Sequence, residues 1–358
     1  MLGAYRKTGD VLLKNNEGKN VTINDIAKAC GVSKATISRY LNNKNDSFSE
    51  ETRDKITKVI AELGYNPNRS AQRLKATSTK LIGCSIGDMS RPYAGLLLRG
   101  ITSVFQNTGY QVLFTHCNNN PEIERNAIDG FLANRVDGLI VNTSGRNDDY
   151  LVSIVKKGIP LVLVDRGLLG DQKLDTVELN NEKVAYESIK ILHNCGYEQV
   201  AFFTEKLGSI YTRIIRYKGF CKAVDDFYPG TEPVLKEIID DTEENWISAI
   251  MDYYHSYPGK RVAILTSNGI TTYKIVRALN KLGIEFGWKL GLFSFDDWEL
   301  MQTIKPGITS ISVPNEKIGA ASANLLLKQI ENHSRKDHKP VSIKLDGIIT
   351  VRGSTIKG

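Results

Sequence analysis

From residue 81 onward the chain keeps one rhythm. The short apolar runs LIGCSIG, QVLFTHC, DGLIVN, PLVLVD, QVAFFTE, RVAILTS and KLGLFSF read as buried strands. Between them lie stretches of helical period: Tyr93–Thr108, Pro121–Asn134, Asn147–Lys157, Val184–Cys195, Tyr211–Phe227, Glu243–Tyr257 and Ile270–Leu282. Strand and helix in alternation predict a parallel sheet covered on both faces. Seven or more such units exceed one open sheet of ordinary size, so two sheets are expected. A ligand crevice in such sheets lies beyond the carboxyl ends of the strands. Hydrogen-bonding side chains follow several strands there: Asp88, Asn118, Asn119, Asn142, Asp165, Arg166, Glu205, Asn268, Asp296 and Asp297.

The first eighty residues follow a different pattern. In TINDIAKACGVSKATISRYLN (22–42), apolar positions repeat at helical spacing on each side of Gly31. Thr22 can cap a first helix with Ile23, Ile26, Ala27 and Cys30 on one face. Gly31 permits a tight turn, Val32 plugs the joint, and Ser33 can cap a second helix with Ile37 and Leu41 inward. Lys34, Ala35, Ser38, Arg39 and Asn42 are left outward, and Ala27 must be small where the second helix crosses it. Ser49 starts a third helix with Ile56, Val59, Ile60 and Leu63 inward, ended by Gly64. Tyr65-Asn66-Pro67 breaks the chain, and Asn68 can cap a short helix over Arg69–Lys75 that is too brief to stand alone. Leu74, between Arg73 and Lys75, suits insertion into a minor groove.

Charge sharpens this division. Residues 1–80 hold 15 Lys and Arg against 8 Asp and Glu, which accounts for the whole net charge of +7; the rest is balanced at 32 of each sign. A basic helical module on a neutral body is what phosphate binding by counterion release requires. The length of 358 residues allows two or three domains. No stretch is apolar enough to span a membrane or to resemble a signal peptide, so a cytoplasmic protein is expected. Cys30, Cys84, Cys117, Cys195 and Cys221 are scattered, which argues against disulfides and a structural zinc; no metal or cofactor is expected.

With these patterns in view, VTINDIAKACGVSKATISRYLN and ELGYNPNRSAQRLK resemble the lactose/galactose repressor family of transcription regulators. VDGLIVN, RYKGF, SFDDWEL and PGITSISVPNEKIGAASANLLL are similar to segments of the family's body, and the resemblance runs from Val21 to Gly353. It implies an all-α helix-turn-helix headpiece on an α/β, periplasmic-binding-protein-like body of two parallel-sheet lobes. The implied partners are a pseudo-palindromic double-stranded DNA operator, a second copy in a homodimer, and a small sugar or sugar-acid effector. The implied divisions are an arm over 1–20, a headpiece over 21–66, a hinge helix and linker over 67–80, and a body over 81–358. Within the body, an N-lobe would take about 81–178 and 314–338, and a C-lobe about 179–313 and 339–358.

By the same resemblance, Lys34, Ala35 and Arg39 would meet base edges, Ala35 by apolar contact alone. Thr22, Ser33, Thr36, Ser38, Asn42, Tyr65 and Asn68 would contact or position phosphates, and Leu74, next to Lys75, would wedge a central base step. Tyr40 stands where a small aliphatic residue is usual. Effector contacts are expected from Tyr93, Asn142, Asp165, Asn268, Asp296 and Arg216, with Trp246 as the stacking aromatic. Arg91 stands where the family commonly has a small polar residue, and Arg166, Thr212 and Arg213 add donors near the mouth; these extra cations either suit a carboxylated sugar such as a hexuronate or ketodeoxygluconate or form surface salt bridges. Two other readings compete. An enzyme would need a catalytic constellation, and His193 and His255 on helices with His333 and His338 in a charged turn do not form one. A free sugar receptor would fit the body but not the basic headpiece.

Overall fold

The computed structural model describes residues 21–41, 48–65, 78–332 and 338–356. The predicted arm over 1–20 and the hinge helix over 69–75 lie outside these residues, as do Asn42, Asn68, Leu74 and Lys75. The chain divides into two compact units, Met1–Ser78 and Thr79–Gly358.

In the first unit, α1 (Ile23–Cys30), α2 (Lys34–Leu41) and α3 (Glu50–Glu62) form the predicted three-helix head. The Asp25 carboxylate accepts hydrogen bonds from the Thr22 backbone N–H (2.8 Å) and hydroxyl (2.7 Å), fixing the start of α1. Gly31 takes the left-handed conformation (φ 67°), where an L side chain would be strained, and ends α1. Ser33 Oγ then accepts from the Thr36 N–H at 3.1 Å, opening α2. Ile26, Ile37 and Ile56, one from each helix, are wholly buried against one another, with Ala27 and Cys30 beside them. This is a small core, so polar ties between helices matter. One such tie is the Tyr40 hydroxyl, 2.7 Å from Thr57 Oγ1 on α3. An aliphatic side chain in place of Tyr40 could not reach that partner.

The second unit carries two six-stranded sheets. The first has the order β11-β5-β4-β3-β1-β2, built from β1 (Leu81–Ile86), β2 (Gln111–His116), β3 (Gly138–Val141), β4 (Leu161–Val164), β5 (Thr176–Leu179) and β11 (Ser342–Leu345). The second has the order β12-β10-β9-β8-β6-β7, from β6 (Gln199–Glu205), β7 (Val234–Ile238), β8 (Val262–Thr266), β9 (Leu290–Phe295), β10 (Thr309–Ser312) and β12 (Ile348–Thr350). Nearly all pairings are parallel; β10 with β12 is antiparallel. Helices α4 (Pro92–Phe105), α5 (Pro121–Ala133), α6 (Asp148–Lys156) and α12 (Asn315–Glu331) dress the first sheet. Helices α7 (Asn181–Asn194), α8 (Tyr211–Phe227), α9 (Glu243–His255), α10 (Gly269–Leu282) and the short α11 (Glu299–Thr303) dress the second.

The chain passes between the sheets after β5, after β10 and after β11. These crossings meet at Gly347, where an added Cβ would stand 2.9 Å from Ile311 and 3.3 Å from Leu179. Here the lobe boundary differs from the expected one. Residues 342–345 extend the first sheet beside β5, so this stretch belongs with the N-lobe and not with the C-lobe. The cause is that β11 is a largely exposed edge strand, SIKL, whose alternation is too short and polar to stand out from a tail.

Candidate functional site

In the headpiece, the outward face of α2 presents Lys34, Ala35 and Arg39 to solvent, with Ser33 exposed at its start. Thr36 and Ser38 are half-buried on the same helix, and Thr22 is exposed at the start of α1. Thr22 and Ser33 thus stand at helix N-termini, whose free N–H groups favour anions. Among the described residues neither Lys34 nor Arg39 has an ion-pair partner. Tyr65 is half-buried and packs against the three-helix core, and burial pushes its hydroxyl up from its ordinary value. An exposed polar helix face whose cations have no ion-pair partner among the described residues, over a three-helix core, is a surface that can enter a groove.

In the body, the carboxyl ends of both sets of strands surround a cavity of about 200 Å³. Three of its positions are held in left-handed backbone conformation by non-glycine residues: Asn119 (φ 55°), Asp165 (φ 65°) and Asp296 (φ 73°). Such conformations cost free energy, and they concentrate where a side chain has to be aimed. The structure brings together Tyr93, Asp165, Arg166, Thr212, Arg216, Asn268 and Asp296, as expected from the sequence.

Arginine dominates the cavity wall: Arg91, Arg166, Arg213 and Arg216 against two carboxylates, Asp165 and Asp296. Arg216 is 6% exposed. Its Nε donates to Asn181 Oδ1 (2.7 Å) and its Nη1 to the Ser267 carbonyl (2.6 Å), while its guanidinium lies 4.1 Å over the Phe295 ring. Its Nη2 has no hydrogen-bond partner among the described residues. Arg166 Nη1 donates to Asn119 Oδ1 (2.6 Å) and the Thr143 carbonyl (2.9 Å). Its Nε is buried without an acceptor, 4.0 Å from Asp165 Oδ2. Burial lowers the Arg216 pKa, opposed by the charges of Asp296 and Asp165. Burial likewise raises the Asp165 carboxyl, opposed by Arg166 and Arg216.

The other two arginines are held by a carboxylate. Arg91 Nη2 donates to Glu205 Oε1 (3.2 Å) and Arg213 Nη2 to Glu205 Oε2 (2.6 Å). Arg91 follows β1 and Glu205 ends β6, so this buried pair joins the two lobes. Burial works to raise the Glu205 carboxyl, but the charges of Arg213 and Arg91 win and hold it below the ordinary range. Gly145 completes the closure: its φ is 77°, and a Cβ there would come within 2.2 Å of the Ser209 carbonyl across the cleft.

Two expected contacts are not in the wall. Trp246 on α9 is buried in the core of the C-lobe, its indole N–H donating to Asp241 Oδ1 at 2.8 Å, so it is no stacking platform. Helical spacing places an aromatic on a helix, but not on the side facing a cleft. Asn142 lies one layer behind. It accepts from the Gly87 N–H (3.0 Å) and the Tyr93 hydroxyl (3.4 Å), and donates to the Val164 carbonyl (3.0 Å) and Asp165 (3.2 Å). Its role is to aim Tyr93 and Asp165. Ile210, Ser267, Val313 and Asn315 line the cavity without having been expected. Val313 and Asn315 directly follow β10, so recognising TSIS as a strand would have pointed to them.

The comparisons with known proteins fit this geometry. Residues 79–350 match the family model described as periplasmic binding proteins and sugar binding domain of the LacI family, and residues 22–68 match that of bacterial regulatory proteins, lacI family. The chain belongs to the LacI family. It is 34% identical over 342 residues to the HTH-type transcriptional regulator KdgR of Bacillus subtilis strain 168, covering 96% of this chain and 100% of that one. It is 32% identical to the HTH-type transcriptional regulator PtxS of Pseudomonas putida, covering 94% of this chain and 96% of the relative. The crystal structure of the lac repressor dimer bound to operator and the anti-inducer ONPF superposes with a TM-score of 0.80 at 23% identity, covering 95% of this chain and 100% of that one, a likeness of fold. As a LacI-family member the protein is a DNA-binding transcriptional regulator, not an enzyme. Among the described residues, no helix is long and apolar enough to cross a membrane.

Proposed function

We propose that this regulator is a cytoplasmic homodimeric repressor of sugar-acid catabolism genes, whose hold on a pseudo-palindromic operator is set by a small anionic sugar bound in the body. The observation that carries the effector class is the pair Arg166 and Arg216. Both are 6% exposed, and the hydrogen bonds they donate among the described residues go to neutral oxygens, not carboxylates. Two nearly buried guanidinium charges held by neutral oxygens favour an anion from outside. A carboxylate meets that need with charge-assisted bonds, and hydroxyls find Asn268, Thr212 and Asp296 around it. A cavity of about 200 Å³ suits a small polar metabolite more than a drug-sized apolar one.

On the DNA side, Lys34, Ala35 and Arg39 read base edges, and Thr22, Ser33, Thr36, Ser38, Asn42, Tyr65 and Asn68 position the phosphates. Leu74, beside Lys75, wedges the central step. The effector acts by biasing lobe closure, which the Arg91–Glu205 pair and the Gly145–Ser209 approach hold in one of two arrangements. Closure changes how the dimer sets the two Arg69–Lys75 segments relative to each other, and so changes operator affinity. The relative solved as a dimer on its operator supports the assembly.

The test is a thermal-shift screen of the full chain over neutral sugars, hexuronates, aldonates and 2-keto-3-deoxygluconate. A ligand that binds the folded form must raise the melting temperature. A sugar acid is expected to give the largest shift and to alter retardation of duplex DNA selected by the protein. A screen in which neutral sugars shift the melting temperature and acids do not rules out the anionic effector.

A further inference from the structure

We infer that Glu205 is the residue that sets charge selectivity in this cavity: it occupies Arg91 and Arg213, so that the site accepts a ligand with one negative charge and rejects one with two. The inference rests on the sugar-acid reading above and refines it.

Glu205 stands at the end of β6 with its side chain 14% exposed. Its Oε1 accepts from Arg91 Nη2, and its Oε2 from Arg213 Nη2, Asn268 Nδ2 (2.8 Å) and Thr271 Oγ1 (3.3 Å). Lys274 Nζ on α10 lies 3.8 Å from Oε1. Three cations therefore converge on one carboxylate, and two of them are cavity-lining arginines. Arg91 is held a second time, its Nε donating to Asp88 Oδ2 at 2.8 Å. Counted with Glu205 and Asp88, the four arginines of the wall face four carboxylates. Arg166 and Arg216 differ from the other two in that all their hydrogen bonds among the described residues go to neutral oxygens, so neither is held by a carboxylate through a hydrogen bond.

That arrangement is a filter. One carboxylate on a ligand can be gripped by Arg166 and Arg216. A second anionic group would need Arg91 or Arg213, where Glu205 already sits. Displacing Glu205 would leave a buried carboxylate short of its partners, a costly change. It would also break one of the ties between the lobes, the ion pair from Arg91 to Glu205. Glu205 thus does for Arg91 and Arg213 what a second ligand carboxylate would do, and its charge repels one.

The experiment is isothermal titration of the full chain with two pairs of acids that differ by one carboxylate: D-gluconate with D-glucarate, and D-galacturonate with galactarate, with D-glucose as the neutral probe. In the wild type the monoacid of at least one pair is expected to bind about tenfold or more tighter than its diacid. Glu205→Gln keeps the size and most hydrogen bonds while freeing the cations, and should shrink that ratio by about tenfold or reverse it. Adding Arg91→Ala to Glu205→Gln should move the ratio back towards the wild-type value. Arg91→Ala alone, which leaves Glu205 less neutralised, should widen it, and this arm stands even where Glu205→Gln does not fold. A wild type that binds diacids as tightly as monoacids, or a ratio that Glu205→Gln or Arg91→Ala leaves unmoved, overturns the role of Glu205 alone. Binding of D-glucose with no binding of any of the four acids overturns the sugar-acid reading, and this inference with it.

Discussion

The headpiece and the body both use arginine and lysine to hold something negative, and they do it in opposite ways. On α2, Lys34 and Arg39 are exposed and have no ion-pair partner among the described residues. In the cavity, Arg166 and Arg216 are buried and part-satisfied by neutral oxygens and a ring face. An exposed cation keeps its hydration and acts through counterion release, so its work is spread over many phosphates and is weakened by salt. A buried guanidinium has already lost its water in folding, so each bond to a ligand counts for more and little of it is screened. Affinity for DNA should therefore fall in many small steps when charges are removed one at a time. Effector affinity should collapse at once.

Arg216→Ala tests the steep side and carries the largest expected effect. Removing one partner of a buried charged contact costs about 2–5 kcal/mol, which is on the order of 30-fold to several thousand-fold in affinity. Titration calorimetry should show loss of effector binding, and retardation of operator DNA should become insensitive to effector while persisting without it. Loss of DNA binding in the same variant would mean that Arg216 holds the body together through Asn181 and Ser267, and the contrast between the two sites would fail there.

How much of either site could be read from the sequence follows the same contrast. The headpiece was legible almost residue by residue. Its contacts are local: the Thr22 and Ser33 caps, the turn at Gly31 and the buried stripe Ile26–Ile37–Ile56 all lie within 35 residues. The tie from Tyr40 to Thr57 joins two helices and could not be seen from spacing. In the body, strand ends gave Asp165, Asn268 and Asp296 because parallel sheets always aim their loops at the crevice. Neighbouring Asp296 and Asp297, just past the end of β9, diverge as expected, though the turn at the left-handed Asp296 and not strand alternation separates them: Asp296 lines the cavity and accepts from the Gly269 N–H (3.0 Å), while Asp297 pairs with Arg352 (2.8 Å). What failed was helix phase and layer. Trp246 points into the core of its lobe, Asn142 lies behind the wall, and β11 changes lobes. The salt-bridge reading of the extra arginines holds for Arg91 and Arg213, but spacing could not name Glu205 as the partner of Arg91, 114 residues away.

Lys34→Ala tests the shallow side. A residue at a base edge is worth about 1–3 kcal/mol of discrimination, so specific operator binding should weaken by about 5- to 150-fold, with relaxed preference at one base pair. Effector titration of the same variant should match the wild type. Lys34 is at the exposed start of α2, so the fold should not suffer. A loss many times larger would place Lys34 among the steep contacts and blur the distinction. Quantitative retardation against a set of single-base operator variants reads both the size and the position of the effect.

The smallest effect concerns pH and sharpens the contrast from inside the cavity. Burial raises the Asp165 carboxyl above the ordinary carboxylate range, while Arg213 and Arg91 hold Glu205 below it. As pH falls, Asp165 takes up a proton before Glu205 does. The cavity then gains one positive charge with its inter-lobe pair intact. A sugar acid, with a carboxyl pKa of about 3.5, stays anionic to lower pH than the raised Asp165 does. Its affinity should rise as pH falls, by less than about tenfold, because Arg166 and Arg216 already oppose the Asp165 charge. Asp165→Asn should hold affinity at the wild type's acid-side value at every pH, and asparagine tolerates the left-handed backbone at this position (φ 65°). DNA binding by that variant should keep the wild-type pH dependence, since the substitution lies in the body and leaves the residues of α2 unchanged. Effector affinity that falls on acidification would mean the protonated group is one the ligand needs, and would remove Asp165 from the set of groups that repel it.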